Sequence, residues 1–271
     1  MPLPTSRIGH LEISRLICGS NNFYGFSHIT AARDKWLRKH FTVDRVVEVL
    51  ASCGRLGVNA IVSGPNPDLY EALRRLEDET GFHMVWMPTP FGNSLEELKQ
   101  GIDQCKAWGA EICMPHTSYI EANLKIKEGE ISTLRDALDT IRDSGMIPGI
   151  SSHRPEALGI CVDRGYDVEL MILPLNTLGF LCAFEVEWQS RIIRDCPKPV
   201  LVIKPLAAGR ISPQPGFTFV YNQIKPTDIV AVGVLSSEEM EENVAIVEGI
   251  LSGREPEIEL QETRSKANVR K

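Results

Sequence analysis

Two side chains with catalytic chemistry interrupt apolar runs in this sequence. His116 closes AEICMPH, and Lys204 breaks VLVI-K-PLAAG. A histidine so placed can be a general acid–base or an electrophilic hydrogen-bond donor, or simply a cap bonded to a loop carbonyl. A lysine with a buried stem can form a Schiff base or bind an anion, or it can be a structural cation paired with a carboxylate from a neighbouring strand. Other polar groups end similar runs: Asn21, Asn22, Tyr24 and His28 after RLICGS, and Ser63 and Asn66 after NAIVS. Thr89, Ser151, Ser152, His153, Arg154, Asn176 and the turn Gly233–Ser237 follow further runs. His116 and His153 could share a metal, but no acidic residue at those run ends completes a ligand set. The stretch GVNAIVSGPNPDLYEAL is conspicuous for offering no strong acid or base where its run stops.

These residues need a scaffold that brings run ends together. Apolar runs near 15–20, 59–63, 83–88, 110–116, 147–152, 168–175, 199–205 and 228–234 have the near-continuous pattern of parallel strands buried on both faces. Amphipathic helical stretches separate them, near 43–56, 67–80, 94–108, 130–145, 154–165, 184–196 and 236–253. Thr42, Ser94 and Ser236 are set to cap three of these, and glycines end several others. The connection over 206–227 is rich in Pro and Gly, which predicts a weak or missing helix. Eight strand–helix repeats without a linker predict an α/β fold, a single (β/α)8 TIM barrel domain over 1–271. A doubly wound sheet is the competing architecture, but CGSNNFYG lacks a GxGxxG fingerprint. RIGHLEIS reads as an N-terminal hairpin turning at Gly9-His10, a plug for the barrel floor. The long stretch 20–41, with Tyr24, Phe26, Trp36 and Phe41, is either an aromatic lid or an aromatic staple.

Composition excludes several function classes. A formal net charge of −7 argues against a nucleic-acid or anionic-membrane surface. No run is long enough to span a bilayer, and MPLPTSRIGH has no signal-peptide core. Seven cysteines without CxxC spacing read as reduced thiols. The expectation is a cytoplasmic protein that binds a small molecule.

In order along the chain, RIGHLEISRLICGSNNFYG, LGVNAIVSG…LYEALRRL, AEICMPH, MIPGISSHRPEAL, VLVIKPLAAGRI and VAVGVLSSEEMEENVAIVE resemble successive segments of aldo-keto reductases. The resemblance implies a barrel of nicotinamide-dependent carbonyl reductases that use an Asp–Tyr–Lys–His tetrad. Carried over by position, the Asp falls on Val62, next to Ser63, and the Tyr loop on Gly64-Pro65-Asn66-Pro67. The Lys falls on Met87 or Pro88, the His on His116, and the aromatic residue that stacks on nicotinamide on Lys204. The resemblance also implies an NAD(P) site. Ser151, Ser152 and Asn176 would reach the carboxamide, and Leu206, Ala207, Gly209 and Arg210 would line the pyrophosphate. The turn at Gly233, Ser236 and Ser237, with Glu242 and Asn243, would hold the adenosine end. GVLSS has no Lys or Arg for a 2′-phosphate, which disfavours NADP.

Three readings follow. In the first, the chain is an oxidoreductase on a small carbonyl or sugar-like substrate, with His116, Lys204, Asn22 and Ser63 as the polar catalytic candidates. In the second, it is a lyase, isomerase or hydrolase using Lys204 or a His116/His153 metal. In the third, it is a non-catalytic ligand-binding barrel.

Overall fold

The computed structural model describes residues 3–254. The single-domain expectation over 1–271 extends into residues 1–2 and 255–271, which lie outside the described residues. The eight predicted runs are the barrel strands, numbered here first to eighth. They are Leu16–Gly19, Ala60–Ser63, Val85–Pro88, Ile112–Cys113, Ile147–Ser151, Leu170–Pro174, Val200–Ile203 and Ile229–Gly233. All are parallel, and each pairs with its sequence neighbours except at one seam, while the first pairs with the eighth. That cyclic order makes the fold a (β/α)8 barrel.

The seam lies between the third and fourth strands, and its chemistry explains its weakness. Glu111 N donates to Trp86 O at 3.3 Å, Met114 N to Pro88 O at 3.1 Å and His116 N to Pro90 O at 3.0 Å. Pro88 and Pro90 have no N–H to return, and the Trp86 N–H goes to the Glu111 carboxylate at 3.0 Å. The barrel therefore closes by bonds running one way, and the last of them fixes the backbone of His116.

Side chains alternate across each strand. Ile17, Ala60, Met87, Ile112, Ile147, Leu170, Leu201 and Ile229 fill the barrel interior, while Leu16, Cys18, Ile61, Trp86 and Cys113 pack against the helices. The predicted hairpin forms from Thr5–Ile8 and Leu11–Ser14, and its Ile8 and Ile13 join the interior set. Gly9 turns it at φ +59°, a left-handed conformation that glycine adopts without strain. Asn59 locks this plug to the second strand, accepting from Ser14 N and donating to Glu12 O.

Capping follows the sequence. Thr42, Ser94 and Ser236 accept from Arg45 N, Glu97 N and Glu239 N at the heads of helices Val43–Arg55, Leu95–Ala107 and Ser237–Ser252. The expectation for 206–227 is corrected, because a helix spans Pro213–Gln223. Its prolines lie in the first turn, where missing N–H groups cost nothing. Phe217 and Val220 are fully buried, and Gly216 lets the helix approach Leu206 closer than a Cβ would allow. The 20–41 stretch holds a further helix, Ala31–His40. Its aromatics divide the work: Phe23 and Phe41 pack at 4.9 Å as a staple, while Phe26 stays exposed on the rim. All seven cysteines are free thiols, and no described helix is long and apolar enough to cross a membrane.

Candidate functional site

A cavity of about 1300 Å³ opens where the strands end, bounded by loops after the first, second, seventh and eighth strands and by the last helix. The fourth strand feeds His116 into it. Its Nδ1 accepts from Ser118 N at 3.1 Å, so the imidazole caps the short helix Thr117–Ala122. A backbone amide can only donate, so the ring proton must sit on Nε2. Burial, then the neighbouring His153, push the His116 pKa down to about 4. The imidazole is thus neutral at physiological pH and offers an Nε2–H. The chemistry this arrangement permits is electrophilic hydrogen bonding to an oxygen, in preference to proton donation from an imidazolium. The Phe91 ring lies over it, with centroids 4.2 Å apart.

The seventh strand delivers Lys204, whose backbone is left-handed at φ +62°. Non-glycine residues adopt that region at a cost, which often marks a functional loop. Ala207 and Ala208 follow at φ +48° and +58°. The Lys204 ammonium donates to His28 Nε2 at 2.9 Å, and Asn21 Nδ2 lies 3.1 Å from the same nitrogen. An ammonium cannot accept, so the His28 proton sits on Nδ1. The Arg210 guanidinium donates to His28 O at 2.9 Å and stacks over Phe180 at 4.5 Å. His28 therefore clasps the loop after the first strand to the loop after the seventh. Burial lowers the Lys204 pKa to about 8. Burial, Lys204 and other cationic neighbours lower that of His28 against the opposing effect of Asp34. His153 is lowered mainly by burial, with Glu121 opposing. The alternative of Lys204 as a structural cation paired with a carboxylate is corrected: its partner is His28, and no described carboxylate forms an ion pair with it.

The other sequence candidates separate into two groups. Asn22, Ser63, Ser151, Leu206, Gly209, Arg210, Gly233, Glu242 and Asn243 line the cavity together with His116 and Lys204. Asn22 donates to Val234 O at 3.2 Å, tying the first loop to the eighth strand. Ser63 reaches the rim, but its hydroxyl accepts the Trp86 indole N–H at 2.7 Å and is engaged in structure. Ser151 shares a 2.9 Å hydrogen bond with Thr117. Ser152, Asn176, Ala207, Ser236 and Ser237 lie off the cavity wall. Ser152 bonds Glu121 and caps Arg154 N, Asn176 bonds Phe180 N and O, and Ser236 is the cap of the last helix. Asn243 is 3% exposed, and its amide makes no hydrogen bond among the described residues, so its polar atoms are available to the cavity.

Val62 and Met87 are register partners on adjacent strands; Met87 belongs to the interior apolar set, and Val62 packs against it while facing the cavity. Val62, Met87 and Pro88, the positions on which the resemblance would put Asp and Lys, are all apolar residues. Tyr24 is no close substitute, because burial pushes its phenol well above the usual range.

Two groups of the site carried little signal in sequence. His28 stands mid-loop, far from Lys204 in number. Glu121 accepts from His153 N at 2.7 Å and from Ser152 Oγ at 3.1 Å, and it acts electrostatically on His116 and His153. The spacing of His116 and Glu121 across one short helix was the only available hint. No group of three or more His, Cys, Asp or Glu among the described residues is arranged to hold a metal.

Neither a family model nor a curated protein matches the sequence. Solved structures do match in fold. Two structures of a proposed aldo-keto reductase from Pseudomonas aeruginosa each cover 92% of this chain and 94% of their own at 18% identity, with TM-scores of 0.66 and 0.68. An aldo-keto reductase from a Medee basin deep-sea metagenome library covers 95% of this chain and 97% of its own at 10% identity, TM-score 0.58. A proposed 2,5-diketo-D-gluconic acid reductase B covers 97% and 95% at 11% identity, also with TM-score 0.58. The chain shares the barrel of these structures over nearly its whole length.

Proposed function

We propose that this chain is a divergent member of the aldo-keto reductase superfamily, an oxidoreductase that binds a nicotinamide dinucleotide and reduces a small carbonyl substrate without the Asp, Tyr and Lys of the usual tetrad. The observation that supports it best is a single cavity with His116 on its wall at the fourth strand and Asn243 on its wall at the last helix. The donor set fits such a cofactor. Arg210 and the left-handed loop at Ala208 and Gly209 would face a pyrophosphate, and the Asn243 side-chain amide, which bonds no described residue, would meet the adenine. Glu239 and Glu242 are the charged cavity residues on the last helix, which suits ribose hydroxyls and disfavours a 2′-phosphate. Bound in reduced form, the cofactor would supply a hydride. The protein's part is then to hold the substrate oxygen at His116 Nε2–H and to keep a positive charge, Lys204, in the same space, while solvent in the open cavity would supply the proton that completes the alcohol.

Titration with NADH and NADPH, followed by intrinsic tryptophan fluorescence, tests this reading. Saturable NADH binding with weaker NADPH binding is expected; no binding of either at millimolar concentration overturns the cofactor assignment.

One observation favours a second reading. An amine whose pKa is lowered to about 8 inside a cavity is a competent Schiff-base nucleophile. Borohydride trapping with carbonyl compounds, read by intact mass, separates this lyase or isomerase chemistry from reduction.

A further inference from the structure

We propose that the cavity selects substrates bearing an anionic group, a carboxylate or a phosphate, which Lys204 holds while the carbonyl oxygen lies at His116. This rests on reading the cavity as a substrate pocket, but it is independent of any hydride step.

Lys204 lacks a counter-charge among the described residues. The chain has a net charge of −7, and its described cations are paired with acids at many points, as in Arg75 with Asp44 and Glu79 or Arg142 with Asp167 and Glu169. No described carboxylate reaches Lys204. Its hydrogen-bond partner is the imidazole of His28, which accepts without bringing negative charge. A partly buried ammonium without an anion is unfavourable, and a ligand anion in reach would relieve that cost.

The nearby acids are committed elsewhere. Asp34, which acts on His28, accepts both the N–H and the hydroxyl of Ser27. Glu121, which acts on His116 and His153, is bound to His153 N and Ser152 Oγ. The cavity wall carries Arg33, Lys204 and Arg210 as its cations, whereas its carboxylates, Glu239 and Glu242, both belong to the last helix. Glu239 is further engaged with Leu235 N at 2.8 Å.

Geometry links this charge to the candidate catalyst. Lys204, His153 and His116 line the same cavity, and Lys204 bears electrostatically on His153 as His153 does on His116. The cavity wall thus presents Lys204, without a carboxylate partner among the described residues, beside the imidazoles of His116 and His153. That pattern complements a molecule with one anionic group and one polarised carbonyl, such as a 2-oxo acid or a phosphorylated aldehyde.

The test is ligand-observed NMR at low salt with the full chain, both free and saturated with NADH. Pyruvate and glyceraldehyde 3-phosphate are compared with their uncharged counterparts, hydroxyacetone and glyceraldehyde. At least one anionic compound should bind about tenfold more tightly than its counterpart, the advantage expected of one charge-assisted hydrogen bond. The two arms show whether carboxylate or phosphate is the natural group. K204M should abolish the preference and K204R should keep most of it. Met and Arg meet the same left-handed backbone at position 204 as Lys does, so a folding defect there would affect both variants and would appear in their circular dichroism. Equal binding of charged and uncharged compounds overturns the proposal, as does a preference that survives in K204M. Loss of the preference on NADH saturation also overturns it, because Lys204 would then serve the dinucleotide. Failure to bind NADH with the preference intact rejects the cofactor reading alone and supports the anion subsite.

Discussion

Acidification from pH 7 to pH 5 should destabilise this protein through the imidazoles at the cavity mouth. The His116 pKa lies at about 4 against an ordinary 6.5. Between those values the unfolded chain binds a proton that the folded chain refuses, so stability is lost as pH falls through this window. For His116 alone the linkage relation gives about 1.8 kcal/mol between pH 7 and 5, and solvent reaching the ring from the cavity reduces this to roughly 1 kcal/mol. His28 and His153 shift in the same direction and add to the slope. His83, raised first by its hydrogen bond to Glu111, takes its proton earlier in the folded chain, so it adds stability as pH falls to its ordinary value and opposes the loss in the upper part of this range. Carboxylates held low, such as Asp167, release their stabilisation at lower pH. Urea unfolding at half-unit intervals from pH 7.5 to 5, on the wild type and on His116→Asn, measures the effect. Asparagine preserves a helix cap while removing the titrating ring. A flat profile in the wild type, or the same slope in the variant, would refute the burial argument.

Three further outcomes are expected. His116→Asn should lower turnover of a carbonyl substrate by about 10²–10³-fold, as loss of an aligned oxyanion donor does, with dinucleotide affinity unchanged in a fluorescence titration; a fall below threefold would remove His116 from the chemistry. Asn243→Ala should weaken NADH binding by about tenfold, the share of one hydrogen bond, and leave binding of small anions intact in the NMR assay. In Gly149→Ala, the new Cβ would sit 2.3 Å from Leu170 O and 2.8 Å from Met114 Cγ. Backbone cannot yield there cheaply, so chemical denaturation should show a loss of more than about 2 kcal/mol.

Much of the fold was legible because its signals are local. A strand buried on both faces needs a continuous apolar run, and a helix between strands needs a cap, a stripe and a stop. Thr42, Ser94 and Ser236 are examples that need no distant partner. The helix at Pro213–Gln223 is firmer than its weak-or-missing sequence signal for the complementary reason. Its Pro and Gly content argues against a helix locally, and only the packing of Phe217, Val220 and Gly216 against the barrel overrides that.

The site divides along the same line. His116 and Lys204 could be found because strand ends converge in a barrel whatever the loops do. Ser63 could not be recognised as engaged, because its Trp86 partner lies on the neighbouring strand. Ser152 and Asn176 lie off the cavity wall, Ser152 bonded to Glu121 and Arg154 N and Asn176 to Phe180.

By itself the sequence determined the repeat, the plug and the strand ends on which chemistry could stand, since periodicity and capping act within a few residues. Tertiary structure decided the charge states. The His116 proton is placed by Ser118 N, and Lys204 meets His28 across 176 positions of chain. Proton affinity depends on burial and on nearby charges, and both are properties of the assembled barrel.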